Sequence, residues 1–273
     1  MAGKKKDTSL LHHLIGSRSL VWNLAKNDIK KKFAGSYFGV VWAFVQPVIT
    51  VLLYWFVFEK GLNSKATDLR TGIEIPFVLW LTAGLVPWFY FQEALNGGTG
   101  VLVEYSYLVK KVVFQIDMLP VVKMISALFF VAFTIVLFIC MGYMPDWYAL
   151  QVIYYSFCMI LFATGLVYAT SAVTVFFRDM KEVVGILLQI GMWVTPIMWN
   201  FETMVQIPGW AIAVLKLNPM YYIVSGYRNA LINHIGFWED MGLTVYFWVV
   251  TAVLLFLGTT VFRRLRPHFA DVL

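Results

Sequence analysis

Residues 173–200, VTVFFRDMKEVVGILLQIGMWVTPIMWN, set a compact charged cluster, Arg178-Asp179-Met180-Lys181-Glu182, between two apolar runs. A charged side chain at the centre of a bilayer costs about 3 kcal/mol or more, so this cluster marks a membrane surface. The runs 150–177 and 183–200 on either side are then two spans joined by a turn of five residues. Moving outward, 37–58, 75–95, 120–142 and 241–262 are runs of the same kind, and all six are 18 to 28 residues long. Roughly 20 helical residues cross a hydrocarbon core. The chain is 60% hydrophobic, 18% aromatic and 13% charged, with a mean hydropathy of +0.75, values far from those of soluble domains. The fold class predicted is all-α integral membrane, with six transmembrane helices.

Cytoplasmic flanks collect Lys and Arg. With both termini inside, eight precede the first span (Lys4, Lys5, Lys6, Arg18, Lys26, Lys30, Lys31, Lys32), and Lys110, Lys111 and Lys123 surround the loop after the second. Arg178 and Lys181 lie in the fourth loop, and Arg263, Arg264 and Arg266 follow the sixth span, which puts 16 of the 21 basic residues inside. The outside keeps Lys60, Lys65, Arg70, Lys216 and Arg228. The net charge of +6 thus reflects orientation in a membrane, and a nucleic-acid partner is not expected. Residues 1–36 lack an early apolar core, so the first span is expected to direct insertion. Cys140 and Cys158 fall within spans as small packing residues. His12, His13, His234 and His268 are scattered without ligand spacing, so no metal site is expected.

Residues 19–33, SLVWNLAKNDIKKKF, read as an interfacial helix. At 100° per residue Val21, Trp22, Ala25, Ile29 and Phe33 share one arc and Asn23, Lys26, Asn27, Lys30 and Lys31 the other, with Ser17 or Ser19 as N-cap. Leu20 and Leu24 break the polar face, which suits either anchorage on anionic lipid or contact with a protein partner. In the longest inside loop, 96–119, Gly97, Gly98 and Gly100 are expected to end the second span. A short mixed helix follows, with Tyr105, Leu108 and Val112 on one face and Lys110 and Lys111 beside it. It is shaped either for a cytoplasmic motor subunit to grip or to lie on headgroups.

Residues 201–240 are too apolar for a loop and too interrupted for one crossing, being divided by Pro208-Gly209, Asn218-Pro219 and Gly226. A re-entrant helical pair over 202–235, between the fifth and sixth spans, is predicted. Broken backbone at membrane depth is tolerated where it is buried in protein or lines a wet cavity; a lid on the membrane surface is the other reading. Phosphate-loop, G-x-S-x-G and H-E-x-x-H motifs are absent, and polar residues within spans are few: Gln46, Gln92, Glu93, Lys123 and Gln189. The pattern suits a permease energised from elsewhere and not an enzyme. At the Arg178-Asp179 corner, Arg178 is expected to bond the end carbonyls of the fourth span and Asp179 to cap the amides opening the fifth.

Five segments together resemble the membrane subunit of type-2 ABC exporters for cell-surface polysaccharides and teichoic acids. They are NDIKKKFAGSYFGVVWAFVQPVITVLLYWFVF, LVKKVVF with the following LP, VFFRDMKEVVGILLQIGMWVTPIMW, LNPMYYIVSGYR and FRRLRPHFADVL. The resemblance covers essentially 22–273. It implies a homodimer of six-helix permeases in the cytoplasmic membrane with two separate ATP-binding-cassette subunits, which hold the ATP and Mg. It also implies a polyprenyl-diphosphate-linked polymer as cargo. By the same analogy Leu24, Asn27, Lys31, Glu104, Tyr105, Leu108, Lys110 and Lys111 contact the ATPase. The wording of YWFVF, LVKKVVF, GMWVTPIMW and LNPMYYIV favours wall teichoic acid, with O-antigen or capsule as the alternative.

The organisation expected is a cytoplasmic tail with its interfacial helix over 1–36, the transmembrane domain over 37–265 and a cytoplasmic tail over 266–273. Transport is placed between the first and fifth spans of two protomers and beneath the broken outer segment. Tyr37, Trp42 and Phe44 near the inner end, and Trp193, Trp199, Tyr221 and Tyr222 toward the outer end, are candidates to stack on sugar or polyol units, with Arg228 near the mouth. A membrane-embedded transferase on lipid-linked sugars requires convergent acid/base residues, and a secondary transporter requires internal repeats and ionisable groups at mid-depth; neither pattern is visible.

Overall fold

A computed structural model of the chain describes residues 18–32, 35–109, 116–128, 131, 138–139, 146–199 and 208–273. The described chain is mostly helical: α1 (Arg18–Lys32), α2 (Trp42–Trp55), α3 (Phe77–Thr99), α4 (Val101–Glu104), α5 (Ser106–Val109), α6 (Met118–Ala127), α7 (Gln151–Phe176), α8 (Met180–Val194), α9 (Gly209–Lys216), α10 (Pro219–Arg228), α11 (Met241–Leu265) and α12 (Phe269–Val272). One hairpin, β1 (Ala66–Thr67) with antiparallel β2 (Glu74–Ile75), interrupts them.

Two helical stretches, Trp147–Phe176 and Met241–Val272, are long and apolar enough to cross a membrane. The first overlaps the expected fourth span, 150–177; the second starts with the expected sixth, 241–262, and stays helical beyond its expected end. The expected first span starts five residues late, at Trp42, after a turn and a 3-10 segment Gly39–Val41, and ends in a π-helical turn Phe56–Gly61. The fifth ends at Val194 instead of 200, because the backbone turns extended at Thr195 ahead of Pro196. Of the third, α6 and the residues 128, 131, 138 and 139 are described, and Cys140 lies outside the described residues.

α3 is the hub, buried along most of its length and packed against α2, α6, α7, α8 and α10. It runs through Gly97 and Gly98, where the sequence reading ends it, and stops at Gly100. The glycine serves contact there: a methyl group on Gly98 would strike the Val167 side chain on α7. α7 and α11 cross with backbones touching, Gly165 against Gly258 and Leu254, the small-residue approach that membrane helices use for tight packing.

Between Val194 and α11 the described residues form the short helices α9 and α10 and a π-helical turn, Asn229–Asn233, close to the expected pieces. The break between α9 and α10 has a local cause. Asn218 caps α10 by accepting from the Met220 amide at 3.0 Å, Pro219 occupies the first helical position, and the Asn218 amide donates to Thr195 Oγ1 at 2.8 Å. Asp240 caps α11 through the Leu243 amide in the same way.

The hairpin tip docks at the Gln151 end of α7: the Leu69 amide donates to Asn233 Oδ1 at 3.2 Å, and Arg70 donates to the His234 carbonyl at 2.6 Å. Burial pushes the Asp68 carboxyl up, but the amides of Arg70 and Thr71, the Thr71 hydroxyl and nearby His234 outweigh it, so Asp68 titrates below the usual carboxylate range.

Candidate functional site

At the Phe176 end of α7, α1 lies against α6 through Val21 and Ala25 packed on Met118 and Val122. The buried stripe of α1 is therefore Val21, Ala25 and Asp28, with half-buried Leu24 at its edge. Trp22, expected on that arc, is 64% exposed. The stripe is rotated because α1 packs on protein, and Leu24 belongs to the packed side. Ser19 lies inside α1 and not at its N-cap.

Asp28 sits on an apolar face, so it must find partners. Lys123 Nζ of α6 is 2.7 Å from Asp28 Oδ1 and 3.0 Å from Glu104 Oε2, and the Tyr105 hydroxyl donates to Asp28 Oδ1 at 2.8 Å. Burial, the bond to Asp28 and the charges of Asp28 and Glu104 all push the Tyr105 phenol up, so it stays protonated. Beside this cluster a groove of about 290 Å³ is lined by Leu24, Asn27, Lys30, Lys31, Tyr105 and Tyr107. Lys31 lies over the rings of Tyr105 and Tyr107, 5.3 and 5.9 Å from their centroids.

Four of the residues expected to face an ATPase thus meet in one groove: Leu24, Asn27, Lys31 and Tyr105. Glu104 is half exposed behind it, and Leu108 packs against the apolar cluster to which Tyr105, Leu119 and Tyr168 belong. Lys110 and Lys111 lie outside the described residues. Asp28, Lys123 and Tyr107 went unrecognised as site residues. An acid seven residues after Val21 and three after Ala25 was the available signal.

The second locality is a cavity of about 360 Å³ at the Gln151 end of α7, where α8 breaks. Trp80, Pro196, Trp199, Lys216, Tyr221, Tyr222, Asn229 and Arg228 are among its lining residues. Arg228 is 7% exposed. Its guanidinium lies 3.4 Å from the Trp80 ring centroid and donates to the carbonyls of Pro196 at 2.8 Å and Ile197 at 2.5 Å. Gly84 leaves it room, since a Cβ there would sit 2.6 Å from Nη2. Arg228 therefore binds the broken end of α8 to α3, a role the sequence reading did not assign to it.

Tyr222, expected along a pathway, is buried in a hydroxyl chain with Tyr154 at 3.0 Å and Thr244 at 3.1 Å, and its ring stacks on Phe247. Tyr221 is half-buried and lines the cavity. Trp193 is exposed, and Trp199 donates its indole N–H to the Trp193 carbonyl at 3.0 Å. Tyr37 and Trp42 are exposed at the opposite end, and the Phe44 side chain is outside the described residues. Arg178 and Asp179 are both exposed. Asp179 makes no side-chain cap; backbone bonds close that corner, from Met180 N to Phe177 O at 3.1 Å and Val183 N to Asp179 O at 3.1 Å.

The family model of the ABC-2 type transporter matches residues 19–232, which takes in the inner groove, α3, α7 and the broken helices. The chain belongs to the ABC-2 type transporter family. Such permeases work with ATP-binding subunits and have no ATPase site of their own, so this ABC-2 chain is a membrane-embedded permease subunit. It is similar to an O-antigen export system permease protein RfbA of Myxococcus xanthus, 26% identical over 266 residues, covering 96% of this chain and 98% of the relative. A protein of the same name from Klebsiella pneumoniae is 22% identical over 258 residues, covering 92% of this chain and 93% of the relative.

Proposed function

We propose that the chain is the transmembrane subunit of an ATP-driven exporter that moves a lipid-linked cell-surface polysaccharide of the O-antigen type outward. The observation that carries this reading is the length of the likeness: relatives named for O-antigen export align over nearly the whole chain. Wall teichoic acid, favoured on wording alone, gives way to the O-antigen alternative, since the relatives' names speak for polysaccharide. Two copies pair, and two separate ATP-binding subunits, which hold ATP and Mg, seat on the grooves formed by α1 and α4–α5. Six spans with cytoplasmic termini, and α9–α10 dipping into the outer leaflet as a re-entrant pair, complete the arrangement. Support for the seat is the convergence of Leu24, Asn27, Lys31 and Tyr105 on one concave surface.

Polymer then passes between the α2 and α8 helices of the pair, where Trp42 and Trp193 stay exposed, while the Arg178-Asp179 corner holds α7 and α8 in place. Depleting the chain in its host is the test. Lipid-linked polysaccharide should accumulate inside spheroplasts and vanish from the surface, and the purified chain alone should hydrolyse no ATP. Unchanged surface polysaccharide, with another lipid-linked glycan or a teichoic acid retained instead, overturns the O-antigen assignment.

A further inference from the structure

The ion cluster behind the inner groove has a consequence for how that groove moves, and the inference rests on the permease reading above. Three segments far apart in sequence meet at one ammonium: Lys123 on α6, Asp28 on α1 and Glu104 at the end of α4. The Tyr105 hydroxyl closes the ring onto Asp28, and Lys123 also lies 5.7 Å from the Tyr105 ring centroid. Asp28 and Lys123 are nearly buried, with side chains 10% and 12% exposed, whereas Glu104 is 51% exposed. Lys31, over the rings of Tyr105 and Tyr107, is a second cation on the groove side of the cluster.

Apart from this cluster, α1 meets α6 through an apolar patch, Val21 and Ala25 on Met118 and Val122 with half-buried Leu24, Val121 and Ile125 packed around them, and through Ser126 Oγ donating to the Ala25 carbonyl at 3.4 Å. Apolar contact is non-directional and lets one helix slide or roll on another. A buried ion pair resists such motion, because separating its members strands a charge away from water, and its best-attested use is to fix register. We propose that Lys123, through Asp28 and Glu104, is the positioning residue that locks both walls of the inner groove to α6, so that displacement of the groove by its occupant is transmitted into the membrane bundle as one rigid movement. Asp28 holds the α1 wall, Glu104 the α4–α5 wall, and Lys123 joins them.

The test is a distance measured across the groove in the full chain. Spin labels go on Asn27→Cys and Tyr107→Cys, one on each wall, in a background with Cys140 and Cys158 replaced, in nanodiscs. The parent and Lys123→Arg should each give one narrow distance distribution. Lys123→Met, which keeps the length and removes the charge, should at least double its width in protein that still elutes as one monodisperse peak. If Lys123→Met fails to fold, Asp28→Asn, which keeps the side-chain shape, must produce the same broadening. A parental width in Lys123→Met or Asp28→Asn overturns the proposal, as does Lys123→Arg broadening as much as Lys123→Met. The measurement needs neither polymer nor ATPase, so it stands or falls apart from the export assignment. In complexes with the ATP-binding subunit, Lys123→Met should lose at least tenfold in polymer export, with Lys123→Arg restoring it.

Discussion

Arg228 shows how far a single side chain departs from its sequence context. As a lone cation after LNPMYYIVSGY it reads as a residue of the outer mouth, yet its guanidinium lies over the Trp80 indole face, donates through Nε to the Trp80 carbonyl at 3.4 Å, and donates to the carbonyls of Pro196 and Ile197. Those carbonyls belong to the turn where α8 ends, and helix ends leave such groups without internal partners. A planar fork satisfies two of them at once, and a lysine ammonium does not reproduce that geometry. Each hydrogen bond to a charged group contributes about 1.5–3 kcal/mol, and the stranded carbonyls add a desolvation penalty. Arg228→Ala should therefore destabilise the folded chain by roughly 3 kcal/mol or more, and Arg228→Lys should recover little of it. Thermal unfolding in detergent and the monodisperse yield after size-exclusion chromatography measure this; if Arg228→Ala runs at parental yield and midpoint, the outer turn is held by other contacts.

At the scale of helices, the break at Asn218-Pro219 was readable, whereas those assigned to Gly97, Gly98 and Gly226 fall inside α3 and α10, and the faces were not readable. Asn218-Pro219 announces a helix start because both residues act locally, through a side-chain cap and a fixed φ, and the structure breaks the chain there. The Arg178–Glu182 turn was equally plain, though its closure by backbone bonds and not by Asp179 was beyond the pattern. Which side of α1 is buried depends on α6, nearly a hundred residues later, so periodicity alone put Trp22 on the buried arc and left Asp28 unplaced. Glycines misled for a similar reason: Gly98 reads as a breaker but serves contact within α3. Tyr222 looked like a stacking platform and is part of a hydroxyl network, because its partners Tyr154 and Thr244 come from two other helices. The Gly165–Gly258 crossing yields the sharpest prediction here. A side chain at either site meets backbone, which no rotamer change relieves, so Gly258→Val should separate α7 from α11 and abolish folded yield. Val253→Ala on the exposed face of α11 should leave that yield unchanged. Equal yields for the two variants, judged by fluorescence-detected size exclusion, contradict the close crossing.

For the whole molecule, the open matter is what covers the apolar surfaces that one copy leaves bare. α8 exposes Ile186, Leu187, Ile190 and Trp193, and α11 exposes Val245, Val249, Val253 and Phe256. By composition the two faces are alike, since lipid and a second copy both accept aliphatic side chains, and hydrophobicity drives no choice between them within a bilayer. The difference lies in what each face adjoins. The turn after α8, gripped by Arg228, lines the cavity at the broken helices with Pro196 and Trp199, and Leu243 at the start of α11 lines it too; the proposed polymer path is assigned to the α8 side because the exposed Trp193 there is bonded to Trp199 of that turn. If two copies pair around that path, α8 faces the partner and α11 faces lipid. In a background lacking Cys140 and Cys158, Ile190→Cys in native membranes should then form a dimer band with a short bifunctional maleimide, and Phe256→Cys should remain monomeric under the same treatment. Asn63→Cys and Asp146→Cys in the same background should react with an impermeant thiol reagent added outside, and Lys181→Cys should not, which ties the paired face to its orientation. A dimer band from Phe256→Cys without one from Ile190→Cys would move the pairing surface, and with it the polymer path, to the opposite side of the bundle.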